Sequence, residues 1–382
     1  MSDSSGVLVG IEFVGTGAHP ASWRRGDSRA EDLFTGGYWT DLVGAADRAG
    51  TDLAFLPDAF GVSTTPGTVR GRLEAVGVAA RLSAVTSRIG LIPTATVTHT
   101  EPFHVAKAIQ SLDHTTRGRA GWQVAVSAGD DQAALFGRKD VQDIASLWAE
   151  ADEAVEVAVR LWDSWEDDAE IRDLATGRFV DRDKLHYIDF TGEHFSVKGP
   201  SITPRSPQGL PVVAVAASDE PSLALAAARA DIVRITAPDV RSAAALAAEV
   251  RARAEGRPVT VLLDVDVLLA ADTAAAAADL VRLDEWAGSE YASDSLRYLG
   301  DPDGLVELLR SGALVESPPS ESAPLRQHGV DGVVLRPLAL ASTLELLTTR
   351  VLPALRPAPR AGTTVRERLG LPRPASRYAT SH

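Results

Sequence analysis

The sequence predicts an α/β protein, a (β/α)8 barrel with an insertion before the fifth strand and a C-terminal tail. Short β-branched segments alternate with longer helical patterns, which is typical of βα units. Hydrophobic residues make up 45% of the 382 residues, enough for a large core, and only 5% are aromatic. The length lies within the range of one barrel that carries insertions. We therefore expect a single domain over residues 1–382, with an insertion at 164–210 and a tail at 356–382.

Eight segments have the pattern of buried strands. They are residues 7–15, 52–58, 89–97, 120–127, 211–217, 231–236, 259–270 and 330–337. Each but the last is followed at once by a plausible helix. Pro102 is suited to begin one of these helices, since the first helical position needs no N–H. The handedness of parallel crossovers favours closure into a barrel, and an open doubly wound sheet is the alternative.

Charge and composition exclude several classes of function. The formal net charge is −14, from 38 basic and 52 acidic side chains, which disfavours nucleic acid and anionic membranes as partners. The absence of cysteine excludes disulfides, zinc–thiolate sites and thiol nucleophiles. The N-terminus lacks the pattern of a signal peptide, and no apolar run approaches the ~20 residues that span a bilayer. These features indicate a cytoplasmic globular protein.

Polar side chains follow the second and third strand candidates, where a barrel places its active site. Asp58 could face the barrel mouth as a hydrogen-bond acceptor, or cap a helix or turn, and the sequence favours neither. Thr98 and His99 are candidates for function, and His99 is the acid–base candidate. Glu101 and His104 fit a helix start and an exposed helical face. The histidine spacings form no recognised metal site.

The fourth strand candidate carries Trp122, Gln123 and Ser127. Trp122 is expected in the core, and the adjacent Gln123 on the opposite face of the strand. The chain has no glycine-rich phosphate loop of the GxGxxG or GxxxxGK type and no GxSxG elbow. Rossmann, P-loop and serine-hydrolase chemistry therefore lack support.

Three long segments resemble the bacterial-luciferase-like flavin monooxygenases. They are EPFHVAKAIQSLDHTTRGRAGWQVAVS, LWDSWEDDAEIRDLATGRFVDRDKLHYIDFTGEHFSVKGPSITPRSPQGLPVV and VRERLGLPRPASRY. More narrowly, they resemble the branch with the nitrilotriacetate, pristinamycin-synthesis and dibenzothiophene-sulfone monooxygenases. The resemblance implies a (β/α)8 barrel that uses reduced FMN from a separate reductase to oxygenate a small organic substrate. It also implies a homodimer, or a heterodimer with a paralogue.

The resemblance also implies roles for single residues. Asp58 falls beneath the flavin ring, Gln123 replaces the usual Asn, and Ser127 retains the final Ser of its strand. His99 is the catalytic candidate. Cofactor contacts are implied for Asp58, Thr98, Gln123, Ser127, Trp148, Ala217 and Ser218.

The chain departs from the family where FMN phosphate is bound. Ile144 and Trp148 stand in place of a His and a Tyr one helical turn apart. The turn after the fifth strand is glycine-rich in the family and holds Asp219, Glu220 and Ser222 here. A carboxylate there would repel a phosphate that the helix N-terminus attracts.

Three interpretations follow from these departures. The chain is a flavin-dependent monooxygenase whose FMN is weakly held or bound by substituted contacts. Alternatively, it is a noncatalytic barrel or partner subunit that has lost FMN phosphate binding, or an oxidoreductase that uses a deazaflavin. The ring-side residues favour the first interpretation, and the altered phosphate turn favours the second.

Overall fold

The computed structural model describes residues 6–61, 67–311, 325, 329–355 and 360–378. Thirteen strands lie within these ranges. In chain order they are β1 (Leu8–Glu12), β2 (Leu53–Leu56), β3 (Gly90–Thr96), β4 (Gly121–Ala125), β5 (Glu170–Asp173), β6 (Arg178–Val180), β7 (Phe190–Thr191), β8 (Ser196–Val197), β9 (Val212–Ala217), β10 (Ile232–Ile235), β11 (Thr260–Leu269), β12 (Leu296–Gly300) and β13 (Gly332–Pro337).

Helices connect and surround these strands. They are α1 (Gly36–Ala49), α2 (Ala75–Ser83), α3 (Pro102–Thr116), α4 (Asp130–Phe136), α5 (Ile144–Asp163), α6 (Glu220–Arg229), α7 (Val240–Arg253), α8 (Thr273–Ala287), α9 (Pro302–Ser311), α10 (Leu340–Leu346), α11 (Leu352–Leu355) and α12 (Val365–Arg368). A π-helical turn, Leu347–Val351, joins α10 to α11.

Eight parallel strands form a closed barrel, so the predicted fold class is confirmed and the open-sheet alternative is wrong. Around the barrel the order is β1, β2, β3, β4, β9, β10, β11 and β13. Pairing of β13 with β1 and of β10 with β11 closes the ring. All eight are the segments predicted from the sequence.

Local sequence signals fix several helix ends. Thr35 caps α1 by accepting a hydrogen bond from the Tyr38 N–H, and Gly50 ends it at φ 93°. That left-handed conformation favours glycine. Pro102 is the first residue of α3, as predicted. These ends follow from the residues themselves, without tertiary contacts.

The structure adds elements that the pattern did not predict. β12 pairs with the C-terminal half of β11 as a ninth strand outside the barrel ring. The short helix α4 follows β4. In the insertion, the short alternating segments of the sequence form two small antiparallel hairpins, β5–β6 and β7–β8, as such segments lead one to expect.

The half of the barrel interior near the N-terminal ends of the strands, which we call the lower half, is apolar. The upper half, toward the C-terminal ends, is charged. Seven strands and the tail contribute to the lower layer, which holds Leu8, Leu53, Phe55, Ile92, Val212, Ala214, Ile232, Leu262, Val334 and Val365. Because side chains alternate along a strand, the next inward positions hold charged groups. We call Glu12, Arg234, Asp264, Asp266 and Arg336 the barrel charge cluster.

The barrel charge cluster is held by ion pairs. The Arg234 guanidinium contacts Asp264 through Nε at 2.9 Å and Nη2 at 2.8 Å, and its Nη2 lies 2.7 Å from Glu12 Oε2. Arg336 contacts Glu12 through Nε at 3.2 Å and Asp266 through Nη1 at 3.3 Å. Burial raises the pKa of Glu12, but the two arginines outweigh it and hold that pKa below its ordinary value.

The described part of the tail seals the N-terminal end of the barrel. Val365 packs against the lower apolar layer, and its N–H donates to the Gly118 carbonyl at 2.9 Å. Arg366 forms a bidentate pair with Asp231, at 3.0 and 2.8 Å. Among the described helices, none is long and apolar enough to cross a bilayer.

Candidate active site at the mouth of the barrel

Asp58 lies just after β2 and binds backbone groups on both sides. Its Oδ1 accepts from the Ala59 N–H at 2.8 Å and its Oδ2 from the Ala75 N–H at 2.9 Å, at the start of α2. Burial raises its pKa, which these two N–H groups oppose. Asp58 therefore fixes the connection between β2 and α2, as the helix-capping alternative predicts. It also lines a cavity, so the two interpretations are compatible.

Thr98 and Ser127 join the ends of β3 and β4. The Ser127 N–H donates to Thr98 Oγ1 at 2.9 Å, and both side chains are buried. The Thr98 carbonyl accepts from Lys139 Nζ at 2.8 Å. Two residues selected from the sequence are thus in direct contact, and they hold the neighbouring strand ends in register.

His99 is covered on one face by an aromatic side chain. Its imidazole stacks on Phe136 of α4, with ring centroids 4.6 Å apart and 15° between the planes. Phe60 meets the edge of Phe136, with ring centroids 4.7 Å apart. Neither ring nitrogen of His99 has a hydrogen-bond partner among the described residues. Burial first, and the charge of Lys139 second, lower its pKa, so the imidazole is neutral near pH 7.

Lys139 and Glu150 form an ion pair that the sequence analysis missed. Lys139 Nζ contacts Glu150 Oε1, and the Glu150 side chain is only 1% exposed. Leu147, Ala151 and Ala154 of α5 are buried on the same apolar stripe. A glutamate on a buried stripe is a sequence signal that could have revealed the pair.

Several buried polar atoms after β3 and β4 and on α5 have no hydrogen-bond partner among the described residues. Besides the His99 nitrogens, they are Thr96 Oγ1, Ser127 Oγ, Trp148 Nε1 and Glu150 Oε2. Native interiors leave few such atoms unsatisfied. Donors and acceptors of this kind, beside apolar walls, fit a flat polar ring such as a flavin. The ring-side residues therefore fit the cofactor that the resemblance implies.

Gln123 points into the barrel interior and contacts Arg234. Its side chain accepts from Arg234 Nη1 at 2.9 Å, so it joins the barrel charge cluster. The neighbouring Trp122 is fully buried and donates to the Ala95 carbonyl at 2.9 Å. Trp122 is thus a core residue, as expected, and Gln123 faces the other way.

The turn between β9 and α6 is closed by its own side chains. The N–H groups of Ser218 and Asp219 donate to Ser222 Oγ, at 3.0 and 2.9 Å. The Ser222 N–H donates to Asp219 Oδ1 at 2.8 Å, which completes a reciprocal cap. Ala217 and Ser218 line a cavity of about 440 Å³ beside this turn. This turn does not fit a phosphate group, because its N–H donors are already used.

Ile144 and Trp148, which stand where the resemblance implies the family's other two phosphate ligands, differ in exposure. Ile144 begins α5 with 42% of its surface exposed, whereas Trp148 is buried one turn later. An isoleucine offers no polar atom. Trp148 can donate one hydrogen bond through its unpartnered Nε1.

A cavity of about 340 Å³ opens next to Asp58. Its apolar walls come from α2 and α3 and include Val76, Val105, Ala108 and Ile109. Thr96, whose Oγ1 is one of the unpartnered polar atoms, also lines the cavity. Within the described ranges, no group of three His, Asp or Glu side chains could hold a metal ion.

Comparison with known proteins supports the resemblance. N-acetyl-S-(2-succino)cysteine monooxygenase of Bacillus subtilis is 40% identical over 59% of this chain and 52% of its own length. Nitrilotriacetate monooxygenase component A of Aminobacter aminovorans is 36% identical over 61% and 54%. The chain thus spans about half the length of these two relatives. One subunit of the pristinamycin IIA synthase of Streptomyces pristinaespiralis is 31% identical over 89% of this chain and 91% of its own length.

Solved structures share the fold over nearly the whole chain. A long-chain alkane monooxygenase superposes with a TM-score of 0.84 at 22% identity, covering 96% of this chain and 95% of that protein. An EDTA monooxygenase from a Chelativorans species gives 0.83 at 22% identity, covering 96% and 99%. Residues 16–317 match the luciferase-like monooxygenase family. The chain therefore belongs to the luciferase-like monooxygenase family.

Proposed function

We propose that this chain is the oxygenating component of a two-component monooxygenase. It would take reduced FMN from a separate reductase and oxygenate a small organic substrate at the barrel mouth. The observation that carries the proposal is the group of unpartnered polar atoms on Thr96, His99, Ser127 and Trp148. When bound, the reduced flavin supplies two electrons, so that one atom of O₂ enters the substrate and the other leaves as water.

The residues around the cofactor have separable roles in this proposal. Thr98 and Ser127 position the ends of β3 and β4. Because the His99 imidazole is neutral, it can accept a proton at one ring nitrogen and donate from the other. Trp148 Nε1 and Ser127 Oγ are available to bind polar atoms of the flavin. The stacked rings of His99 and Phe136 would exclude water from this side of the site.

We assign the substrate to the cavity beside Asp58. Its lining is mainly apolar, with Asp58, Glu74 and His104 as titratable groups, and its volume of about 340 Å³ suits a small organic molecule. Thr96 connects the cavity to the unpartnered polar atoms, which would bring substrate and flavin close together.

The experiment is a titration of the protein into FMN and into photoreduced FMN under argon, followed by flavin fluorescence and absorbance. We expect saturable binding of the reduced form. Ser127→Ala and His99→Ala should each weaken it about tenfold, the effect of losing one buried hydrogen bond. Thr115→Ala is the matched control, since its hydroxyl bonds only the Leu112 carbonyl within α3. Absence of binding up to about 1 mM of either form would contradict the proposal.

The relatives favour this proposal over the two alternatives. The family and the two half-length relatives are named monooxygenases, which supports oxygenation rather than a noncatalytic barrel or a deazaflavin enzyme. The proposal includes FMN that is held weakly or by substituted contacts. The reason is that the N–H groups of Ser218 and Asp219 in the β9–α6 turn already donate to Ser222 Oγ.

We also propose that the chain works as a dimer, with itself or with a paralogue. The support is its similarity to two different subunits of pristinamycin IIA synthase, over 91% of one and 50% of the other. Light scattering on the chain alone should give the mass of a dimer, or that of a monomer that dimerises when the paralogue is added. We further propose a cytoplasmic location, shared with the reductase that supplies the flavin.

A further inference from the structure

Three backbone N–H groups of the turn between β9 and α6, those of Ser218, Asp219 and Ser222, are bonded within the turn itself. Ser222 Oγ accepts from the N–H groups of both Ser218 and Asp219, and it therefore lies where an anion's oxygen would otherwise bind. The third N–H, that of Ser222, donates to the Asp219 carboxylate. A helix N-terminus binds phosphate through such backbone N–H groups, and here the chain's own side chains occupy them.

An aspartate cap like that of Asp219, without the serine hydroxyl that accepts from two N–H groups, begins the next two helices, where no cofactor is expected. Asp239 caps α7 by accepting from the Ser242 N–H at 2.7 Å, and Asp272 caps α8 by accepting from the Ala275 N–H at 2.8 Å. Asp219 and Ser222 thus form an ordinary helix cap. Nothing in this turn distinguishes it as a binding site for an anion.

The charges around the turn also disfavour a dianion. Of the described residues that line the adjacent cavity, Asp219 and Asp294 are acidic and Arg336 is basic. Arg336 is already paired with Glu12 and Asp266 of the barrel charge cluster. A phosphate in this cavity would be repelled by the carboxylates of Asp219 and Asp294. It would gain little from Arg336, whose charge is already balanced by Glu12 and Asp266.

We propose that this chain recognises a flavin by its ring and gives the phosphate no stabilising contact, so that it binds riboflavin as well as FMN. This inference rests on the proposed function, because it assumes that a flavin occupies the barrel mouth. The ring side keeps its unpartnered polar atoms on His99, Ser127 and Trp148. In the β9–α6 turn, where the resemblance places the phosphate, the N–H groups of Ser218, Asp219 and Ser222 are already bonded, so the group that distinguishes FMN from riboflavin would gain little there.

The test compares the dissociation constants of reduced FMN and reduced riboflavin for the same protein. The inference expects values within about threefold of each other, or tighter binding of riboflavin. A bound phosphate with two or more charge-assisted hydrogen bonds would favour FMN by about tenfold or more, and that result would overturn the inference while leaving the proposed function intact. If neither flavin binds, the proposed function fails, and the inference fails with it.

Variants of the turn give a second, independent measurement. Ser222→Ala removes the hydroxyl that occupies two N–H groups, and Asp219→Ser combined with Ser222→Gly also removes the carboxylate. Both should strengthen FMN binding, the double variant by about tenfold, and leave riboflavin binding unchanged. The inference is wrong if neither variant changes the affinity for FMN. It is also wrong if the affinities for FMN and riboflavin increase equally. Ser242→Ala, in the matching cap of α7, should change neither affinity. Thermal unfolding confirms that each variant is folded.

Discussion

His99 stacks face to face on Phe136, with ring centroids 4.6 Å apart and 15° between the ring planes. The histidine follows β3 and the phenylalanine ends α4, so the contact joins two neighbouring connections at the barrel mouth. Phe136 covers one face of the imidazole, and burial lowers the pKa of His99, which favours the neutral form. We therefore expect this contact to contribute to the burial of the one catalytic candidate that the sequence suggested.

Removing the Phe136 ring should return the pKa of His99 toward its ordinary value. In Phe136→Ala, water reaches the ring, so we expect the pKa of His99 to rise from its lowered value toward the ordinary histidine value of about 6.5. An NMR titration of the histidine C2–H signals measures it. Phe179→Ala, at a side chain that is 62% exposed, should leave the signal unchanged. An unaltered pKa in Phe136→Ala would show that burial by Phe136 is not the cause.

The lowered pKa of His99 makes stability depend on pH. The unfolded chain binds the proton at about pH 6.5 and the folded chain only at lower pH, so stability falls as pH drops from about 7 through the folded pKa. His99→Gln should lose less stability over this range than the wild type. The difference in slope cannot exceed about 1.4 kcal/mol per pH unit, the limit for one proton. Urea unfolding at several pH values measures it, and parallel curves would contradict the assignment.

Breaking the pair between Lys139 and Glu150 should destabilise the protein. Lys139→Met leaves the buried Glu150 carboxylate without its cation, and we expect a loss of about 2–3 kcal/mol. Glu150→Gln should cost less, since no buried charge remains. Lys184→Met, which breaks an exposed pair with Asp168, should cost less than about 1 kcal/mol. Equal losses in the two lysine variants, measured by urea unfolding, would rule out a special role for burial.

Arg234 should be essential for the barrel interior. Arg234→Met leaves Glu12 and Asp264 without their shared cation, so we expect a loss of about 3–5 kcal/mol. Arg234→Lys should recover only part of it, because an ammonium cannot reproduce the bidentate contact with Asp264. Arg282→Met, at a 54% exposed side chain, should cost less than about 0.5 kcal/mol. Full stability of Arg234→Lys in urea would contradict this geometry.

The tail should contribute to stability through Val365. Its side chain is 1% exposed and completes the lower apolar layer of the barrel. Val365→Ala removes two methyl groups from that layer, with an expected loss of about 2 kcal/mol. Val281→Ala, at a 56% exposed side chain of α8, should change stability by less than about 0.5 kcal/mol. Similar unfolding midpoints for the two variants would mean that the tail does not seal the barrel.

The sequence alone determined the eight barrel strands and most of their helices, because these follow from local patterns, whereas the structure showed that the sheet closes. The start of α3 at Pro102 and the end of α1 at Gly50 needed no tertiary information. The family resemblance also located Thr98 and Ser127, which the structure brings into contact. β12 escaped detection because it pairs only with the far half of β11, outside the ring.

Only the tertiary structure decided how the polar side chains are partnered. Glu12 and Arg234 lie in strands far apart in the chain and meet because the barrel closes. The sequence places Glu150 on a buried stripe of α5, which indicates a partner, but the folded loop decides that this partner is Lys139. The family resemblance implied that Ser222 lies in a turn that is glycine-rich in the family, but its hydrogen bonds to two N–H groups depend on the folded turn. Hydrophobic periodicity is a local signal, whereas the partner of a charge or a donor depends on distances that only folding sets.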